Sequence, residues 1–258
     1  MTSDDHHHGP RVEDDALIRG RGKFVDDIEK QGLGHAVFVR SPHAHARIVS
    51  ISTEAAAKAK GVIGILTAAD LAGIGSVSRH PPVAGRGGSK IVFSHRPALA
   101  DRKVMHVGEA VAMVVAESHA AALDAAELVA VEYEELPAVI DAREAMKPGA
   151  PILFDEIPGN LALDWPGPVD DPANVAAVDE IMKSAAHVAR ITLVQQRLAM
   201  VPMEMRGGTA SFDARTGRYT LRVCSQGAGT MRDLLAAIMG IEKQTLHVIT
   251  EDVGGAFG

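Results

Sequence analysis

A mixed α/β (α+β) fold is predicted by three observations. Short apolar runs of strand character recur along the chain, and alanine-rich helical stretches fall between them. Glu109–Ala116, Ala120–Leu128 and Val129–Tyr133 then read strand, helix, strand, the order of a βαβ-like unit packed in layers.

The elements follow in order. Ala36–Arg40 and Ala46–Ile51 read as strands joined by the turn-like Ser41-Pro-His-Ala44. Thr53–Ala59 is an alanine-rich helix capped by threonine, Gly61–Leu66 a buried strand, and Thr67–Leu71 the start of a short helix. Gly73–His95, rich in glycine, proline and serine, reads as a long surface loop. Glu109–Ala116 is the clearest strand of all, and Ser118 caps the helix after it. Pro148–Pro172 holds six of the thirteen prolines and marks a domain boundary, drawn as 1–157 and 158–258. Beyond it, His187–Leu198, Thr209–Phe212 and Tyr219–Ser225 alternate as strands, with a turn at Ala214–Gly217. Met231–Met239 is an apolar helix and Thr245–Val253 the last strand.

Composition narrows the function classes. Over 258 residues, 47% hydrophobic and 23% charged content is that of a globular protein with a sizeable core. A net charge of −7 with only 3% aromatics argues against nucleic-acid binding, which needs cations and stacking rings. No apolar run reaches the ~20 residues of a membrane span. The polar start Met1–His8 lacks the basic and apolar regions of a signal peptide, so a cytoplasmic location is expected. The single cysteine, Cys224, reads as a small strand filler and cannot supply the thiolates of an iron–sulfur cluster.

The most telling stretch is Val248-Ile-Thr-Glu-Asp-Val-Gly-Gly-Ala-Phe-Gly258, an apolar run that ends in a glycine turn. Without a Cβ in the way, main-chain N–H groups can approach an oxygen-rich ligand closely. Motifs elsewhere give this turn a context. They are Arg19-Gly-Arg-Gly-Lys-Phe-Val-Asp-Asp27, Val39-Arg-Ser-Pro-His-Ala-His-Ala-Arg-Ile48, His106-Val-Gly-Glu-Ala-Val-Ala112 and Ala125–Val139. Pro202-Met-Glu-Met-Arg-Gly207, Ser225-Gln-Gly227 and Gly254-Gly-Ala-Phe-Gly258 complete the series.

In this fixed order, from about Arg11 to Gly258, the motifs resemble those of molybdenum hydroxylase large subunits. That family comprises the xanthine dehydrogenases, aldehyde oxidases and aerobic carbon monoxide dehydrogenases. The resemblance implies a hammerhead-like N-terminal domain (1–157) followed by the incomplete beginning of a molybdopterin-binding domain (158–258). It implies molybdopterin as cofactor, the cytosine dinucleotide form among the alternatives. Cofactor contacts are implied at Gln226, Gly254, Gly255, Ala256, Phe257 and Gly258, with no metal ligand from the protein and the catalytic residue unassigned. A side-chain amide such as Gln226 can donate to a metal-oxo group without adding charge. The family's middle glycine is Ala256 here. Gln226 is followed by the flexible-looking Gly227-Ala-Gly229.

The resemblance further implies hydroxylation of a small substrate with oxygen from water. Electrons would leave to an iron–sulfur subunit and an FAD subunit. A second polypeptide completing the molybdopterin domain is a further partner to expect, because the family's catalytic glutamate lies beyond Gly258. The chain by itself is expected to be inactive and to hold no stoichiometric molybdenum. The alternative is a non-catalytic assembly module.

Other candidates are weaker. His43 and His45, two apart, would share one face of a strand, yet no acidic or cysteine partner completes a metal set at diagnostic spacing, and the two read as polar turn and interface residues. His6–His8 is a polar tail able to chelate metal adventitiously. Glu204 reads as a buried acid near the pocket or as half of a surface pair with Arg206, a structural role in either case being favoured.

Overall fold

The computed structural model describes residues 11–28, 30–76, 83–167, 171–195, 199–255 and 257. The chain divides into two compact units: Gly34–Gln196, and a second that joins Met1–Leu33 to Arg197–Gly258. The first helix, α1 (Asp14–Ile18), belongs to the second unit.

The first unit holds β1 (His35–Arg40), β2 (Ala46–Ser52), β3 (Val62–Thr67), β4 (Lys103–Val104), β5 (Ala110–Ala116) and β6 (Ala130–Glu135). Its helices are α2 (Glu54–Ala57), α3 (His119–Glu127), α4 (Ala142–Ala145) and α5 (Pro172–Ser184). The strands form two three-stranded sheets, β1-β5-β3 and β4-β2-β6, paired antiparallel throughout. The expected βαβ-like unit at Glu109–Tyr133 is therefore corrected. Its strand, helix and strand exist as β5, α3 and β6, but the two strands enter different sheets.

The reason lies in β5. As the middle strand of its sheet it is buried on both faces. Ala112 and Val114 join Ala56, Ala125 and Val129 in one cluster, while Val111 joins Ala46, Ala100 and Val104 in another. Val39, Ile51 and Val131 border both clusters, so the two sheets share one core. Small residues let the layers approach: Ala122 and Ala125 are the buried positions of α3. Ser118 caps α3 as expected, its Oγ accepting from the Ala121 amide at 3.2 Å.

Three further differences are informative. The loop expected at Gly73–His95 contains a 3₁₀ turn at Arg86–Gly88 and a bridge between Ala84 and Lys90; residues 77–82 lie outside the described residues. The strand expected at His187–Leu198 forms no ladder over its described part, residues 187–195, because the described chain offers it no partner strand. At Pro172, where the proline-rich zone ends, the 13-residue α5 begins, a helix over residues for which the sequence gives no separate reading. Asp171 caps it by accepting from the Ala173 amide at 2.9 Å, and Pro172 occupies the first turn, where no amide donor is needed.

The second unit contains β7 (Gly208–Asp213), β8 (Arg218–Val223), α6 (Ala228–Met239) and β9 (Leu246–Ile249). β7 and β8 form an antiparallel hairpin, whereas β8 and β9 run parallel, with α6 as the crossover between them. The βαβ unit of this protein therefore lies here. Gly240, in the left-handed region at φ 64°, ends α6 while its own amide and that of Ile241 return to Ala237 and Ala236. Among the described residues no helix is long and apolar enough to cross a membrane.

Candidate functional site

Parallel pairing decides where the second unit's chemistry gathers. Tyr219 to Arg222 lie opposite Leu246 to Ile249 in register, so the two chains leave the sheet side by side at its carboxyl end. One exit leads through Cys224 and Ser225 to Gln226, the other through Thr250 and Asp252 to Gly254. Side chains tie the exits together: the Ser225 and Thr250 hydroxyls are 2.8 Å apart, and Thr250 donates to the Val223 carbonyl at 3.1 Å. Ser225 also accepts from the Gly227 amide at 3.4 Å, so the turn's hydrogen bond is made by Ser225 and leaves Gln226 exposed.

Gly227-Ala-Gly229 is no flexible linker. Gly227 is the N-cap of α6, and Ala228 and Gly229 are its first residues. The helix thus starts three residues earlier than the apolar pattern suggested, directly after Gln226, and no side chain caps it. Its first-turn amides carry the partial positive charge that attracts oxygen-rich ligands. A glycine just ahead of a helix is the sequence sign of this start.

The glycine turn is shaped by protein contacts on its inner side. Glu204 Oε2 accepts from the Gly254 amide at 2.7 Å, and Glu204 Oε1 accepts from the Val25 amide at 3.1 Å. The Glu204 amide in turn donates to the Gly254 carbonyl at 3.4 Å. A Cβ on Gly254 would stand 2.5 Å from Glu204 Cβ, so only glycine fits there. Gly255 has φ +119°, outside the range of L side chains, and a Cβ there would meet Pro202 Cβ at 3.1 Å. Phe257 follows at φ 51° with its ring 73% exposed. Ala256 and Gly258, also named from the sequence, lie outside the described residues.

The reading of Glu204 as half of a pair with Arg206 is corrected, since both of its oxygens engage main-chain amides. No pattern in the sequence joins residues so far apart. Cys224, just past β8, is partly buried with its Sγ 3.9 Å from the Met205 carbonyl, a filler between two segments.

His43 and His45 do not share a strand face. They lie in the bend before β2. The His43 ring packs tilted against that of Tyr133, centroids 4.8 Å apart, and lies 3.2 Å from Glu135, while His45 is buried with Nδ1 2.8 Å from the Pro137 carbonyl. Burial pushes the Tyr133 phenol up, partly offset by a hydrogen bond with Ser41. Among the described residues no group of three or more His, Cys, Asp or Glu gathers to hold a metal ion. A half-open cavity of about 570 Å³ in the first unit, lined by Ile51, Leu71, Ile74, His95 and Leu99, contains none of the residues named from the sequence.

Comparison with known proteins assigns the class. Residues 19–137 match the family described as "Aldehyde oxidase and xanthine dehydrogenase, a/b hammerhead domain", and residues 155–258 match "Molybdopterin cofactor-binding domain". The chain belongs to the molybdenum hydroxylase large-subunit family, of which it represents an N-terminal portion. It is 38% identical over 253 residues to the nicotine 6-hydroxylase large subunit of Paenarthrobacter nicotinovorans, covering 96% of this chain and 29% of that protein. It is 34% identical over 260 residues to the carbon monoxide dehydrogenase large chain of Afipia carboxidovorans, covering 96% and 30%. Among solved structures, quinoline 2-oxidoreductase from Pseudomonas putida 86 superposes with a TM-score of 0.81 at 34% identity, over 97% of this chain and 30% of that one. The chain thus spans about 30% of the length of these relatives.

Proposed function

We propose that this chain forms part of the large subunit of a cytoplasmic molybdopterin-dependent hydroxylase that oxidises a small substrate with oxygen taken from water. The observation that supports the proposal is the parallel pairing of β8 and β9, with Gln226 and the start of α6 following one strand and the Gly254-Gly255 turn following the other. All three offer hydrogen-bond donors without adding a formal charge, which suits a group rich in oxygen atoms. The donor set also suits a metal held mainly by its own organic cofactor, because it asks for no gathered protein ligands. When bound, molybdopterin, with or without the cytosine dinucleotide, supplies the two-electron redox chemistry.

Gln226 donates its side-chain amide toward the cofactor, and its exposure at the end of β8 leaves it free to do so. Gly255 and Phe257 belong to the turn assigned to the cofactor, and Ala256 and Gly258 are assigned to it from the sequence motif alone. Gly254 contributes shape, since its amide is committed to Glu204. One cysteine cannot build iron–sulfur clusters, so an iron–sulfur subunit and an FAD subunit carry the electrons onward. The functional division falls at 1–157 and 158–258. The chain by itself loads no stoichiometric molybdenum and turns over no substrate. The test is Gln226→Ala in the complete enzyme, measured by turnover per molybdenum and melting temperature. Turnover falls on the order of tenfold to a hundredfold, while stability stays within about 0.5 kcal/mol. Unchanged turnover per molybdenum refutes the role of Gln226.

A second reading, a docking module without catalysis, is favoured by one observation. Val175, Val178, Ile181 and Met182 of α5 are all exposed along one helical stripe. A stable isolated chain that binds a partner subunit while remaining free of molybdenum in the assembled complex supports this reading over the first.

A further inference from the structure

We propose that Glu204 is the positioning residue of the glycine turn, its carboxylate clamping the Gly254 amide to the segment around Val25. The geometry stands by itself; the consequence for cofactor loading rests on the function proposed above.

Both oxygens of one carboxylate are used, each on a different stretch of main chain. Val25 is 179 positions from Glu204, and Gly254 is 50 positions from it on the other side. The 2.7 Å bond to Gly254 is short, as expected for an N–H group donating to an anion. The contact is reciprocal, because the Glu204 amide donates to the Gly254 carbonyl. Neighbouring acids complete the arrangement: the Lys23 amide donates to Asp252 Oδ2 at 2.8 Å and the Phe24 amide to Asp27 Oδ2 at 2.9 Å. Three successive amides, Lys23, Phe24 and Val25, thus each end on a different carboxylate.

The same segment explains both glycines. Glu204 fills the space a Cβ on Gly254 would need, and Pro202 fills that of Gly255. The turn is therefore glycine-rich because Pro202–Glu204 packs against it, and its outer side is left for a ligand. A glutamine at 204 would keep one acceptor and turn a donor toward the second amide. An aspartate would keep both acceptors but lose the methylene that lets them reach two segments.

The experiment is site-resolved amide hydrogen exchange on the 258-residue chain, with the β8–β9 amides as internal reference. Glu204→Gln speeds exchange at Gly254 and Val25 by about tenfold or more and leaves the β8–β9 amides unchanged, with Glu204→Asp intermediate. Unchanged exchange at Gly254 overturns the proposal. Should Glu204→Gln not fold, Gly254→Ala takes its place. The added methyl pushes Glu204 aside and frees Val25, and Glu204→Gly in the same chain removes that extra cost. Normal Val25 protection in Gly254→Ala overturns the clamp. Molybdenum content of Glu204→Gln in the complete enzyme then separates the two claims. Loss of molybdenum with a loosened turn supports both. Full molybdenum with a loosened turn overturns the cofactor role of the turn and leaves the clamp standing.

Discussion

Each of the two units is stabilised internally by different physics. Among the described residues, every buried apolar side chain except Ala236 and Leu246 lies in the first unit. There, two sheets close over shared clusters of valine and alanine. The second unit instead leans on carboxylates and hydroxyls that hold main-chain amides and carbonyls, as Glu204, Asp252 and Thr250 do. A dense core keeps its shape by excluding water, non-directionally. A set of directed hydrogen bonds fixes particular backbone atoms in space, here those of the Gly254 turn.

The largest test of this contrast is a charge in the core. Val114 is fully buried in the middle strand of its sheet. Val114→Asp places a carboxylate where nothing can pair with it and is expected to cost about 4 kcal/mol or more, unfolding the first unit. Circular dichroism melting would register this as loss of its transition. An unchanged melting curve would mean that the cluster is not the source of that unit's stability.

Asn160 is one of the first unit's polar residues used as the second unit uses its acids, as is Glu109, which accepts from the Met105 amide. Asn160 holds a left-handed conformation at φ 58°. Its side chain accepts from the Leu153 amide and donates to the carbonyls of Ala145 and Pro151, all at 2.8 to 2.9 Å. Asn160→Ala is expected to cost about 2 to 3 kcal/mol, measurable by denaturant unfolding. A loss below about 0.5 kcal/mol would show that these bonds add little to a unit already stabilised by burial.

In the second unit, Ser225→Ala removes the hydroxyl contact that joins the exits of β8 and β9. A loss of about 1 kcal/mol is expected, with faster amide exchange at Gly227. Exchange unchanged at Gly227 would argue that the parallel ladder alone holds the exits together.

The smallest effect is expected at Asp141, the exposed cap of α4. The side chain of Arg143, and then its amide, hold the Asp141 carboxyl down at about 2, below its ordinary value of 3.8. Because the folded-state value is the lower one, the stabilisation is present above about 3.8 and fades as pH falls through about 2. Wild type and Asp141→Asn should differ slightly in melting temperature at neutral pH and converge near pH 2. A difference that persists under acid would assign the effect to shape rather than charge.

Local elements were largely legible. The apolar run at β5, the Ser118 cap and the Ala214–Gly217 turn each carry their instruction within a few residues. The start of α5 carries a sign too, Asp171-Pro172, but the surrounding prolines suggest loop. His187–Leu198 alternates like a strand, yet its described residues form none, because a strand needs a partner to satisfy its main chain. Motif order singles out Gln226 and the glycine turn, and Glu204 reads as structural, but nothing in the sequence joins it to Val25 or Gly254.

The chain's own residues determined which segments become strands or helices, where caps and turns fall, and which family the motifs belong to. These depend on side-chain periodicity and short-range sterics. Tertiary structure alone decided that β5 and β6 enter different sheets while β8 and β9 pair in parallel around α6. It also decided that one glutamate joins amides at Val25 and Gly254. Strand partners and such clamps are contacts between residues far apart in the chain. Many pairings satisfy the same local pattern, and only packing of the whole selects among them.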